Sequence, residues 1–257
     1  MAFIDSHCHL DFAEFDACRE PLIAQCQQQG VNQFIVPGIT LAQSHSLISF
    51  QQQYRAIHIG VGLHPYFMSE YVAEHLNQLS ELAHRYRSQL IAIGECGIDR
   101  SIANIALQIE IFEHHIELAN QLELPLIVHH RQSHDLIAQS FKRCQPKFGG
   151  VIHAFSGSLQ QAQYYIKQGF KLGVGGVITY QRAQKTRQVI AQLDAAHLLL
   201  ETDSPSMPLA GFQGQINTPL QLPLVFEQLC QLKQLNGRDK QLFKQQLYDS
   251  CSALFCI

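Results

Sequence analysis

Apolar and polar positions along the chain follow two alternating periods. Eight short runs are almost continuously apolar: Phe3–Ser6, Gln33–Pro37, Ile57–Gly62, Leu90–Gly94, Leu126–His129, Gly150–Ala154, Phe170–Val174 and Leu198–Glu201. Runs this short, rich in Ile, Val and Leu, predict strands buried on both faces. Between them the period lengthens to that of a helix. Over Ile105–Leu122, residues Ile105, Ile109, Phe112, Ile116 and Ala119 form one stripe, and Pro125 then opens the next strand. Ser158 offers an N-cap to a helix that turns Ala162, Tyr165 and Ile166 inward and stops at Gly169. Val189–Leu193 reads as the apolar end of a further helix, and Pro219–Leu232 and Asp239–Phe255 as two more. Repeated strand–helix alternation without a linker predicts a parallel sheet closed on itself, a (β/α)8 TIM barrel. A doubly wound open sheet is the alternative.

Length fits that expectation. The chain has 257 residues, and a (β/α)8 barrel has about 250, so a single domain spanning 1–257 is expected. Charged residues make up only 15%, against about 25% in an average domain. Glutamine fills the gap in "QCQQQG" and "SFQQQY", where interspersed apolar residues mark solvated helix faces. The net charge of −3 argues against holding long nucleic acid by bulk electrostatics. No apolar run reaches a membrane-spanning length, and the N-terminus lacks a basic segment before its first apolar stretch. The eight cysteines are scattered and include no C-x-x-C pair, which reads as reduced thiols in a cytoplasmic protein. Cys8 and Cys96 flank candidate ligands and read as small buried hydrophobes. A monomer is favoured.

Candidate chemistry collects where the apolar runs end. "FIDSHCHLDF" places His7 and His9 two apart, on one face of an extended segment. "LIAIGE" closes on Glu95, "PLIVHH" reaches His129, "GGVIHAF" reaches His153, and "HLLLETDSP" carries Asp203 just past its end. In a barrel of this class, chemistry sits at the C-terminal ends of the strands. All six side chains are metal-ligand types. A mixed nitrogen and oxygen set suits Zn, Mn, Fe or Ni and does not suit Ca. Four histidines and two carboxylates suffice for two divalent ions, with Glu95 the natural bridge between them. Such pairs of ions activate water and stabilise the attacking and leaving oxygens of a phosphoester. Asp203 is placed to accept a proton from that water.

"FIDSHCHLDF", "GVGLHP", "GECGID", "PLIVHHR", "VIHAFSG", "GVGG" and "LLLETDSP" occur in the order seen in the TatD family of metal-dependent deoxyribonucleases. "MPLAGFQGQIN" makes the chain look most like the YjjV-type branch. The resemblance runs from residue 3 nearly to the end. It implies an amidohydrolase-like TIM barrel with two divalent ions (Mg, Mn or Zn) and 3′–5′ exonuclease or general phosphodiesterase activity on nucleic acid ends. By matching motif positions, His7, His9, Glu95 and Asp203 would hold one ion, and Glu95, His129 and His153 the other. His64 and Arg131 would line the pocket near substrate phosphate. Many relatives carry an aromatic where Arg100 and Ser206 stand here, and an "RDA"-like stretch where this chain has "RQS".

Other residues read more plainly. His130 should turn away from His129, and His134 reads equally as a site or a surface residue. His114 and His115 read as structural residues of their helix. Glu201 is expected as a buried hydrogen-bonded carboxylate, Asp5 as a residue that orients a ligand, and Asp99 as structural. "GVGG" lacks the P-loop pattern. The loop Ser204–Pro219 should wall the site, with Asn217 as its substrate-facing residue. Two alternatives stand beside a phosphodiesterase: an ester or amide hydrolase such as a D-aminoacyl-tRNA deacylase, and a non-catalytic metal-binding protein.

Overall fold

The computed structural model describes residues 2–257. Strands and helices alternate: β1 (Phe3–Asp5), α1 (Arg19–Gln28), β2 (Val31–Val36), α2 (Leu41–Gln53), β3 (Ile57–Val61), α3 (Glu74–Arg85), β4 (Leu90–Asp99), α4 (Ile105–Leu122) and β5 (Leu126–Arg131). Then follow α5 (His134–Arg143), β6 (Gly150–Ile152), α6 (Leu159–Lys167), β7 (Phe170–Val174), α7 (Gln184–Gln192), β8 (Leu198–Leu200), α8 (Leu222–Leu232) and α9 (Gly237–Phe255). The strands form one sheet in chain order from β1 to β8. Past the strand ends, Ser6 N–H donates to Leu200 O, Asp203 N–H to His7 O, and His9 N–H to Ser204 O, at 2.9, 2.9 and 2.7 Å. These bonds bring β8 back to β1, so the fold is a nearly closed (β/α)8 barrel, as the periodicity predicts.

Two compact units divide the chain. One holds the segment up to Val36, Ala154–Lys167 and Lys171–Ile257. Its core includes Phe3 edge-on to Phe226 at 5.2 Å, with Phe226 stacked on Phe243 at 6.4 Å. The other holds Pro37–His153 and Gln168–Phe170. There Phe141 lies between Phe112 at 6.0 Å and Phe170 at 4.9 Å. Burying a side chain the size of Phe112 contributes roughly 1.5–3 kcal/mol.

Helix ends follow local chemistry. Thr40 Oγ1 accepts from Gln43 N–H at 3.1 Å, and Gln43 Oε1 accepts from Ile39 N–H at 2.6 Å. At the start of α6 the bonds are fully reciprocal: Ser158 Oγ accepts from Gln161 N–H and Gln161 Oε1 from Ser158 N–H. In α1 the glutamines Gln25, Gln27 and Gln28 are exposed while Leu22, Ile23 and Cys26 are buried, the solvated face expected of "QCQQQG".

Several boundaries differ from the sequence expectation. β2 begins at Val31, two residues early, and β5 continues to Arg131. β4 runs to Asp99, five residues past the apolar stretch. Its pairing with β5 slips between Ile93 and Cys96, then continues with Gly97 opposite His129 and Asp99 opposite Arg131. The slip falls at Gly94–Glu95, and such irregularities re-aim side chains near active sites. Gly97 has φ +148°, and a Cβ there would lie 2.0 Å from His129 O. The glycines that hide β4 from an apolar pattern therefore let it continue against β5.

Candidate metal centre

In the first unit, β1 ends at Asp5 and delivers His7 and His9 in the bend beyond it. Their rings meet edge to face at 5.1 Å. His7 Nε2 and His9 Nε2 each lie 3.6 Å from Asp203 Oδ1. That exceeds a good hydrogen bond. It is close to the roughly 3.4 Å separating two ligand atoms that share one tetrahedral ion at about 2.1 Å. Asp203 holds its place with φ +55°, a left-handed conformation that Asp tolerates better than most residues and that gathers at functional sites.

A buried network fixes this corner. Asp5 Oδ1 accepts from Thr202 N–H at 3.0 Å and His7 N–H at 3.3 Å, and Asp5 Oδ2 accepts from Thr202 Oγ1–H at 2.6 Å. Asp5 therefore positions the backbone of His7, not its imidazole. Burial pushes its carboxyl up to about 7, against the lowering effect of those donors. Glu201 is fully buried, and its Oε1 accepts from Ala154 N–H at 2.6 Å. It anchors the residue that follows His153 in the chain, which is the buried hydrogen-bonded role expected of it. Gly173 makes room for it, since a Cβ there would lie 2.2 Å from Glu201 Oε2.

In the second unit, Glu95 Oε1 lies 3.2 Å from both His64 Nε2 and His129 Nδ1. Each of the three offers a ligand atom within 4.8 Å of the others, a group that could hold a metal ion. His64 and His129 meet edge to face at 4.2 Å. His64 Nδ1 accepts from Tyr66 N–H at 3.0 Å, which leaves Nε2 to face Glu95. Desolvation lowers the pKa of His64 despite Glu95 beside it. For His129, burial is outweighed by Asp99 and Glu95, and its pKa rises. The two carboxylates thus favour positive charge at this position, which is what a divalent ion supplies. His153 is buried just past β6, with its N–H on Val128 O at 2.9 Å.

Asp99 joins the cluster, although its sequence context reads as structural. Its Oδ2 lies 3.3 Å from His129 Nε2, while Oδ1 accepts from Ser101 N–H at 2.7 Å and Ser101 Oγ–H at 2.6 Å. Burial opposes its ionisation, but these hydrogen bonds hold its carboxyl well below the usual range. One signal was available. Glu95, Gly97 and Asp99 alternate, which favours one face of an extended strand for the two acids.

The remaining candidates divide. Arg131 is exposed at the end of β5. Asn217 is buried, and its amide donates to Thr202 O and Ser206 O, both at 2.8 Å, while its Oδ1 accepts from Thr218 N–H at 2.9 Å. These bonds tie it into the loop after β8. Cys8 and Cys96 are fully buried, with Sγ directed at Ile35 O and Ile127 O, and burial raises both thiols well above their ordinary pKa. The His130 ring lies 4.3 Å from that of His134, which opens α5, with the planes tilted by 32°. His115 is fully buried in α4 and accepts Leu63 N–H at Nε2, 3.0 Å away.

Comparison with known proteins agrees with this architecture. The family model described as TatD related DNase matches residues 4–255. The chain is 41% identical, over 90% of each protein, to the metal-dependent hydrolase YjjV of Escherichia coli strain K12. The crystal structure of that YjjV superposes with a TM-score of 0.94 at 39% identity, covering 99% of this chain and 98% of that one. A relative from Cronobacter sakazakii, described as the 3′-5′ ssDNA/RNA exonuclease TatD, is 30% identical over 85% of this chain and 86% of its own length. Matched almost from end to end, and resembling YjjV as "MPLAGFQGQIN" suggests, the chain belongs to the TatD family of metal-dependent hydrolases.

Proposed function

We propose that the whole chain acts as one catalytic domain, a divalent-metal-dependent phosphodiesterase that removes nucleotides from the 3′ ends of single-stranded DNA or RNA. The observation that carries this reading is the donor set around Glu95. Its carboxylate lies 3.2 Å from imidazole nitrogens on both sides. The group His64–Glu95–His129 lies where an ion could be held. Because His64 Nδ1 accepts from Tyr66 N–H, its Nε2 carries the proton, so Glu95 and His129 are the ligands within it. The chemistry fits Mg, Mn or Zn, with two ions held by His7, His9, Glu95, His129, His153 and Asp203.

Bound divalent ions supply Lewis acidity and generate a nucleophile from water near neutral pH. The protein's own residues do the rest. Asp203 takes the proton from the attacking water at its carboxylate. His64, whose Nδ1 is engaged by Tyr66 N–H, presents Nε2–H to a phosphate oxygen. Arg131, exposed at the end of β5, pairs with a neighbouring phosphate. Asp99 orients His129, and Glu201 and Asn217 hold the turns around the centre. Eight free thiols support a reducing, cytoplasmic setting, and no helix among the described residues is long and apolar enough to cross a membrane. The active species in this reading is the monomer.

The test is hydrolysis of bis-p-nitrophenyl phosphate by metal-stripped protein, with Mg, Mn or Zn added back, beside Glu95→Ala. Metal-dependent turnover that the substitution abolishes is expected, followed by shortening of oligonucleotides from the 3′ end. Metal binding without phosphodiester turnover would overturn the reading and bring carboxyl esters and aminoacyl-tRNA forward as substrates.

A further inference from the structure

Beside His64 lies a cavity of about 210 Å3, formed within the second unit by the segments that follow β2 and β3. These are strand-to-helix loops at the C-terminal ends of the strands, where barrels of this class bind substrate. Its wall is aromatic and apolar: His45, Leu63, Phe67, Met68, Tyr71 and His75. Phe67 lies 6.0 Å, edge to face, from the His64 ring, and Tyr71 stands likewise to His75. The wall is braced by the Thr40 cap on Gln43 N–H, by Gln43 Oε1 accepting from Ile39 N–H, and by the Tyr66 N–H bond to His64.

The chemistry of this lining selects its ligand. No Lys or Arg occurs among the described residues of the wall, and the one charged group on it is Glu70. A phosphate would meet an acid and no cation there, so the cavity is not a phosphate site. A neutral, planar ring finds aromatic faces, an apolar floor, and imidazole and phenol groups for its polar edge. The volume lies below the roughly 300–1,000 Å3 of pockets for drug-sized ligands, which matches one ring system and not a long chain.

We infer that this cavity takes the base of a nucleotide whose phosphodiester lies at the metal centre, making Phe67 and Tyr71 determinants of substrate binding. The inference rests on the nuclease reading above, and His64 is the shared wall: its Nε2 faces Glu95, 3.2 Å away, while its ring lines the cavity. Stacking of bases on aromatic side chains tolerates every base, so the site favours the presence of a base over its identity.

The experiment compares kcat/KM for two single-stranded oligonucleotides that differ only in a normal or an abasic 3′-terminal nucleotide. For the unaltered protein a preference of about tenfold or more for the base-bearing end is expected. Phe67→Ala and Tyr71→Ala should each bring that ratio toward one, through KM more than kcat. The ratio is taken within each variant, so a general loss of activity cancels. No preference in the unaltered protein, or a preference unchanged in both variants, would overturn the inference. If neither oligonucleotide is cleaved, the nuclease reading fails. The cavity is then judged alone by titrating deoxyadenosine against the His45 and His75 ring signals in NMR. Saturable shifts lost in Phe67→Ala uphold it, and unmoved signals overturn it.

Discussion

Asp99 and Asp203 show how two acids of one type take different tasks from their surroundings. Asp99 is buried and held by Ser101 and His129, an arrangement that suits an orienting group. Asp203 is partly exposed and faces two histidines at 3.6 Å. Asp203→Asn should therefore lower kcat about 10²-fold or more, the scale of a lost general base, with an unchanged melting temperature for the metal-free protein. Asp99→Asn should act through His129 instead. Titration calorimetry should show metal affinity reduced about 10- to 100-fold, as for other carboxylates that support a ligating histidine. Unchanged affinity would remove Asp99 from the site. Asp99 was poorly legible in the sequence because the apolar run ends at Gly94. Only the pairing of Gly97 with His129 reveals that the strand continues.

At the scale of elements, α4 does more than cover the sheet. His115 accepts Leu63 N–H at Nε2, so its proton sits on Nδ1, which donates to Ile111 O at 2.7 Å. Leu63 precedes His64, and a helix thereby fixes the loop after β3 on which both the metal centre and the cavity depend. Burial pushes His115 down to about 4 from its ordinary 6.5. A histidine that is neutral when folded binds more protons when unfolded between those values. Its contribution is complete above about pH 6.5 and is lost as pH falls toward 4, on the order of 3 kcal/mol. Denaturant titrations from pH 7 to 4 should show a steeper loss of stability for the unaltered protein than for His115→Gln. Parallel profiles would show that His115 is not the titrating group. The sequence places His115 in a helix and marks it as structural. Its partner lies 52 residues away, and no local pattern carries that distance.

Over the whole molecule, the proposed ligands are far apart in sequence, from His7 to Asp203. An ion bound there couples metal affinity to folding. At 100 times the dissociation constant a ligand adds about 2.7 kcal/mol, which for a chain of this size is a rise in Tm of roughly 5–10 °C. Mn or Zn should produce that rise, EDTA should remove it, and Glu95→Ala should not show it. A small net charge, 18 basic against 21 acidic residues, leaves little bulk attraction for polyanions. Binding of single strands should therefore weaken only shallowly with salt, and a steep dependence would point to a basic surface that the charge balance does not suggest.

The sequence by itself determined the strand–helix alternation, the barrel class and the ligand types at the strand ends. Each of these is local: a run of apolar residues and the polar residue that closes it report their own burial. It also marked Glu201 as a buried carboxylate, from its place inside the last apolar run. Only the tertiary structure decided the extension of β4, the pairing of His129 with Asp99, the placement of Asn217 inside its loop and the cavity beside His64. These depend on which backbone a glycine lies against and on side chains brought together from distant segments. Packing and hydrogen bonding set such contacts across the fold, and the order of residues along the chain does not display them.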